Sequence, residues 1–113
     1  MGIRTRLRHG KRAGSKRGET RENTAYLREW AGARRGVEGY VEPRTTVTET
    51  TVMLVAHDGE WTRRRVSGPR AAHSLGDSLG IPVYDAGVVG YPQRMRAYNR
   101  RRKEDGQGSP RPR

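Results

Sequence analysis

The 113-residue chain contains no cysteine and no phenylalanine. Without cysteine it has no disulfide, no thiol nucleophile and no thiolate-held metal. No apolar run approaches the roughly 18 residues that mark a membrane-crossing helix. The start of the chain is basic but no apolar stretch follows it, so no secretory signal is predicted and a cytoplasmic location is expected. Lysine is scarce: Lys11, Lys16 and Lys103 are the only ones, and arginine makes up the rest of the 24 cationic residues. Apolar residues are 31% of the chain, below the roughly 45–50% usual for globular domains, a figure that counts glycine. Arginine in place of lysine, few isoleucines and asparagines, and 15 glycines mark a GC-rich genome. Part of the arginine content is therefore codon usage.

Codon usage does not explain where the charge sits. The net charge is +12. Residues 1–20 carry seven cationic side chains and one acid, and residues 94–113 carry eight and two. The 73 residues between them are balanced at nine each, and they hold 28 of the 35 apolar residues. Three segments follow: a basic disordered arm at 1–20, a small α+β domain at 21–93, and a basic helix with a disordered tail at 94–113. The ends have little to bury and repel themselves. The middle has enough apolar residues for a small core.

Periodicity supplies the elements. Thr20 to Arg35 reads as a helix with Thr20 as its N-cap, and Tyr26, Leu27, Trp30 and Ala31 fall on one face. Val37–Glu42 alternates as a strand, and Thr45–Ala56 is rich in strand-forming Thr and Val. Val52 to Ala56 is apolar on both faces, which predicts a central strand. Asp58-Gly59 predicts a two-residue type I′ hairpin leading into Glu60–Val66. That turn would set Leu54 opposite Arg63 and Val52 opposite Arg65, with Trp61, Arg63 and Arg65 on the face of Leu54 and Val52. Ser67 is the expected cap of a second helix with Pro69 in its first turn; Ala72, Leu75 and Leu79 form its face and Gly80 ends it. Ile81–Tyr84 reads as a fourth strand that Val88-Val89 extends or follows. Arg94–Glu104 is expected to be a short basic helix with Met95 and Tyr98 toward the domain. The fold class is α+β: helix, three strands with a hairpin, helix, strand.

Chemistry is thin. His9, His57 and His73 have no metal-ligand spacing. Ser74, His57 and Asp85 could be assembled as a triad on paper, but any chain of this size offers such triples. Gly32-x-x-x-Gly36 falls at a helix end, and Gly87-Val88-Val89-Gly90 lacks the Lys-Ser/Thr of a phosphate loop and the third glycine of a dinucleotide fold. No catalytic, cofactor or metal residue is assigned.

Basic patches interleaved with aromatics are the remaining signal. Trp61 with Arg63, Arg64 and Arg65 forms one set. Arg94, Arg96, Tyr98, Arg100, Arg101, Arg102 and Lys103 form the other. Guanidinium groups suit phosphates and flat rings suit unstacked bases. The plainer reading of the strand arginines is that they pair with Glu38, Glu42 or Glu49.

The stretch VTETTVMLVAHDGEWTRRRV at 47–66, LGIPVYD at 79–85 and GYPQRMR at 90–96 together resemble a family of short, uncharacterised actinobacterial proteins, over roughly residues 36–102. The resemblance implies no activity. Some members are named oxidoreductase by automated transfer, a label that implies cofactor motifs this sequence does not show. The order helix, three strands, helix is similar to that of double-stranded RNA-binding domains, which read shape, although Arg70 stands alone where a basic cluster would open the second helix.

The leading expectation is a small non-enzymatic protein that binds a polyanion, RNA or a ribosomal surface first, through its arginine-rich ends. The alternative is a protein-interaction or regulatory module whose sheet face docks a partner. A small oxidoreductase-like subunit comes third.

Overall fold

A computed structural model describes residues 18–46 and 48–105. Of the arm expected to be disordered at 1–20, residues 1–17 lie outside the described residues and 18–20 are helical instead; the tail at 106–113 also lies outside the described residues. The chain is helical over 18–32 (α1), then forms β1 (Glu38–Glu42), β2 (Thr51–Val55), β3 (Trp61–Arg65), α2 (Pro69–Leu79), β4 (Val83–Asp85), a one-turn helix α3 (Ala86–Val89) and α4 (Gln93–Glu104). The four strands make one sheet in the order β3-β2-β1-β4. β1 and β3 both pair antiparallel with β2, and β4 pairs parallel with β1. The α+β class read from the sequence is the observed one.

Helices cover the sheet on both faces, which is why β2 is apolar on both. Val52 and Leu54 point to a core shared with Val41 of β1, Leu27 and Trp30 of α1, and Ala72 and Leu75 of α2. Met53 and Val55 point the other way, into a smaller cluster with Tyr40, Ala86 and, at its margin, Trp61, Tyr91 and Met95. Met95 thus turns toward the domain as expected. Each buried side chain of β2 contributes roughly 1.5–3 kcal/mol by leaving water, so this strand anchors both layers.

The hairpin differs from the sequence reading. Ala56 donates its N–H to the Glu60 carbonyl at 2.8 Å and accepts the Gly59 N–H at 2.9 Å, so the loop has three residues, His57 to Gly59. Gly59 has φ +96°, and among the described residues no non-glycine has a positive φ. This is the three-residue hairpin whose glycine forms a bulge, rather than the type I′ turn that needs positive φ at both positions. Asp58 uses its side chain instead, accepting the Glu60 N–H on Oδ1 at 3.0 Å.

One extra loop residue moves every partner by one and exchanges the faces. Arg63 stands opposite Met53, Arg64 opposite Val52 and Arg65 opposite Thr51. Trp61 and Arg63 therefore lie on the Met53 and Val55 face, not with Leu54 and Val52 as expected.

Other boundaries shift for local reasons. α1 is already helical at residue 18, and Thr20 is not its cap: its carbonyl accepts the Thr24 hydroxyl. α1 stops at residue 32, short of Arg35. The strand expected from Thr45 begins only at Thr51, because Thr45 closes a turn on Thr48 through both its backbone and its hydroxyl. Threonine hydroxyls compete with the sheet ladder in this way. α2 starts at Pro69 with Gly68 at its cap and no side-chain cap from Ser67, and Gly80 ends it at φ +71°. Val88 and Val89 belong to α3 rather than to a strand, and both are exposed.

Candidate nucleic-acid interface

The eleven residues singled out from the sequence divide into two groups once their partners are known. β1 alternates strictly, so Glu38, Tyr40 and Glu42 all face the α3 and α4 side of the sheet. That places two carboxylates beneath the arginines of β3 and α4.

Arg63 grips Glu42 with both ends of its guanidinium, Nε to Oε1 at 2.8 Å and Nη2 to Oε2 at 3.0 Å. Its guanidinium lies 5.6 Å from the Trp61 ring centre. Glu42 also accepts the hydroxyls of Thr51 and Tyr91. Burial pushes the Glu42 carboxyl up, but the bonds from Arg63, Thr51 and Tyr91 outweigh it and hold the group below its ordinary range. Arg65 pairs with Glu19 of α1. Arg64 donates to the Arg63 carbonyl and covers the Tyr26 ring at 4.0 Å. The strand arginines are therefore occupied within the fold, and Arg63 meets one of the acids expected for it.

Trp61 donates its indole N–H to Asn99 Oδ1 at 2.9 Å, which ties β3 to α4. Arg94 is a second tie. Its Nε donates to the Ala56 carbonyl at 2.9 Å and its Nη2 to Glu38 Oε1 at 2.8 Å. Burial raises the Glu38 carboxyl, and the bonds from Arg94 and Tyr40 more than reverse this, leaving it below the usual range. Arg101 donates to the Asp58 carbonyl at 3.0 Å. Arg101 and Arg102 lie 5.8 and 5.7 Å from the Tyr98 ring centre. Arg94, Tyr98, Arg101 and Arg102 thus form the inner face of α4.

The outer face carries Arg96, Arg100 and Lys103. Their spacing of four and three residues puts them in one row along the helix, about 10 Å long at the helical rise. All three are exposed. Among the described residues none of the three has an ion pair or side-chain hydrogen bond, whereas every such ion pair uses Arg34, Arg63, Arg65 or Arg94. Asn99 is not singled out by the sequence; Glu38 and Glu42 are expected partners of the strand arginines, and the pairing the sequence misses is that of Glu38 with Arg94 of α4. The signal was the strict alternation of acids in β1.

Three tyrosines also gather on this face. Tyr40 is buried, with its ring centre 5.6 Å from Tyr84 and 6.3 Å from Tyr91. Desolvation, then the hydrogen bond to Glu38, pushes the Tyr40 hydroxyl up to about 12.

Among the described residues no group of three or more His, Asp or Glu is placed to hold a metal ion, and no helix is long and apolar enough to cross a membrane. No family model, curated protein or solved structure matches the chain.

Proposed function

We propose that the protein binds a polyanion, RNA first, with the outer face of α4 as the contact surface. The observation that carries this reading is the sorting of the cations. Arginines on β3 and on the inner face of α4 are spent on carboxylates, carbonyls and rings of the fold. Arg96, Arg100 and Lys103 form an exposed row without acidic partners among the described residues. Six cations on one twelve-residue helix repel each other, and the contacts of Arg94 and Arg101 to hairpin carbonyls offset that repulsion. A phosphate backbone would neutralise the row and release its counterions.

A salt titration tests this. Labelled RNA is titrated with wild type, an Arg96→Gln/Arg100→Gln/Lys103→Gln variant and an Arg63→Gln/Arg65→Gln variant. Each lost phosphate contact should flatten the log K against log salt slope by about 0.7 for a single strand or 0.9 for a duplex. The α4 variant should therefore lose about 2 to 3 units of slope, with similar weakening for unrelated sequences, because phosphate contacts carry no sequence information. The β3 variant should keep its slope. Wild type that fails to bind at low salt would overturn the reading. A protein-docking role, which the exposed Val88 and Val89 favour, would then be the better account.

A further inference from the structure

Beyond the N-terminal end of α4, Glu38, Tyr40, Tyr84, Val89, Tyr91 and Pro92 line an open cleft of about 260 Å³. Pockets for drug-sized ligands run from about 300 to 1,000 Å³, so this one suits a single ring system. Its walls are aromatic: Tyr40 is the buried floor, and Tyr84 and Tyr91 both lean on it. Tyr84 keeps 37% of its surface exposed, which leaves a ring face for stacking.

The charge of the cleft is balanced. Glu38 is its one lining carboxylate, and Arg94 neutralises it through Oε1. That disfavours a phosphate or an organic cation and leaves an uncharged flat group. The second oxygen of Glu38, Oε2, has no hydrogen-bond partner among the described residues and is not sealed from solvent. It is an acceptor only, so a ligand reaching it must donate an N–H or O–H, which on a nucleobase edge means an N–H. Pro92 lines the cleft and Gln93 begins α4, so the row from Lys103 to Arg96 runs toward the helix end that borders the cleft.

We propose that the cleft takes one unstacked nucleobase carrying an exocyclic amino group, from a single strand whose phosphates lie along α4. This rests on the reading of α4 given above. The base would stack on Tyr84, and its amino group would donate to Glu38 Oε2. Cytosine and uracil separate the two contacts. Both stack, but cytosine presents an amino donor where uracil presents a carbonyl oxygen, which faces the carboxylate unfavourably.

The test is fluorescence anisotropy with labelled twelve-nucleotide oligo(C) and oligo(U). The proteins are wild type, Tyr84→Ala, Tyr84→Phe and the α4 triple variant. Oligo(C) should bind wild type more tightly than oligo(U). Tyr84→Ala should weaken oligo(C) about tenfold, the size of one lost stacking contact, with the salt slope unchanged. Tyr84→Phe should bind like wild type, because it keeps the ring. Tyr84 is exposed on the three-residue edge strand β4 and lies outside both core clusters; its ring rests on Tyr40, a contact that Tyr84→Phe keeps, and urea unfolding of Tyr84→Ala checks that the fold survives its loss. If Tyr84→Ala binds oligo(C) like wild type while the α4 variant is weakened, the base cleft is wrong and the α4 reading stands. Equal wild-type affinity for oligo(C) and oligo(U) also overturns the cleft proposal. If wild type binds neither strand at low salt, both readings fall.

Discussion

Gly59 lies directly against the backbone of Arg94: a Cβ built on Gly59 would stand 2.1 Å from the Arg94 carbonyl oxygen and 2.8 Å from Tyr98 Cβ. The hairpin loop and the first turns of α4 touch because Gly59 has no side chain. The same glycine holds φ +96°, so it serves the loop and the helix contact at once. The contact positions Arg94 to reach the Ala56 carbonyl and Glu38, and Arg101 to reach the Asp58 carbonyl.

Gly59→Ala should therefore act twice. Positive φ costs a non-glycine residue about 1–3 kcal/mol, and forcing atoms into a filled contact adds roughly 1–3 kcal/mol. The expected loss is about 3 kcal/mol by urea unfolding. The clash should also move α4 off the hairpin and break the Trp61 to Asn99 bond, changing the tryptophan emission of the folded protein. A variant with wild-type stability and emission would show that α4 does not rest on the loop.

Gly76 makes the corresponding contact on the other face. It is buried in α2, and its Cβ would come within 2.2 Å of Val83 Cγ2 and 3.2 Å of the Ile81 carbonyl. Alanine is a better helix former than glycine by about 1 kcal/mol, so propensity alone predicts stabilisation. The branched Val83 side chain has little freedom to retreat, so steric crowding should win and Gly76→Ala should destabilise. Val83→Ala removes the clashing methyl groups. The double variant should be more stable than the sum of the two single effects, read as a coupling in a double-mutant cycle. Simple additivity would mean that α2 and β4 pack with slack.

These contacts show what could be read from the residues. Val52 to Ala56 announced a central strand because a run apolar on both faces has to be covered on both. Gly80 and Pro69 marked the ends of α2 by their backbone limits. The hairpin register was not legible. Asp-Gly suits a two-residue turn and also the last two positions of a three-residue loop, and the difference is one hydrogen bond at Ala56. The packing of α4 was only partly legible. Met95 and Tyr98 are its main apolar residues, but the helix is also fastened by Arg94 and Arg101 donating to carbonyls, which no hydrophobic pattern encodes. The basic clusters were visible as clusters. Sorting them required knowing that Glu38 and Glu42 share the face of Arg63 and Arg94, and that depends on the register.

Arg63 should behave as a structural residue. Its partner Glu42 has a side chain only 19% exposed, while Arg63 itself is 43% exposed, so solvent screens the pair. Arg63→Gln should cost about 0.5–1 kcal/mol at neutral pH, the upper part of the range for exposed pairs. The sign of its pH dependence follows from the depressed Glu42 carboxyl. A carboxyl held low in the native state contributes stability above its unfolded value and loses it as pH falls through its native one. The gap between Arg63→Gln and wild type should accordingly close as the pH drops below the ordinary carboxylate range. Urea midpoints from pH 7 to pH 3 measure it. A gap independent of pH would mean that Arg63 stabilises by packing on Trp61 rather than by charge.

The alkaline side should be governed by Tyr40. Its hydroxyl is buried and donates to Glu38, and its pKa rises from 10.0 to about 12. An unfolded tyrosine gives up its proton near pH 10, while the native one keeps it until about 12. Between these values the unfolded chain binds fewer protons, so stability falls as pH rises. A displacement of this size corresponds to a few kcal/mol at about 1.4 per pKa unit. Tyr40→Phe has no proton to lose. It should be less stable than wild type at pH 8 by about 1 kcal/mol, the contribution of the missing hydrogen bond. It should then lose stability less steeply than wild type above pH 10, so the two curves converge and cross before pH 12. Urea unfolding at half-unit steps from pH 8 to 11.5 reads the difference, and Tyr91, present in both proteins and also raised, cancels from it. Curves that stay parallel throughout would show that Tyr40 ionises as freely in the folded protein as in the unfolded chain, and that the hydroxyl is not enclosed between the sheet and Arg94.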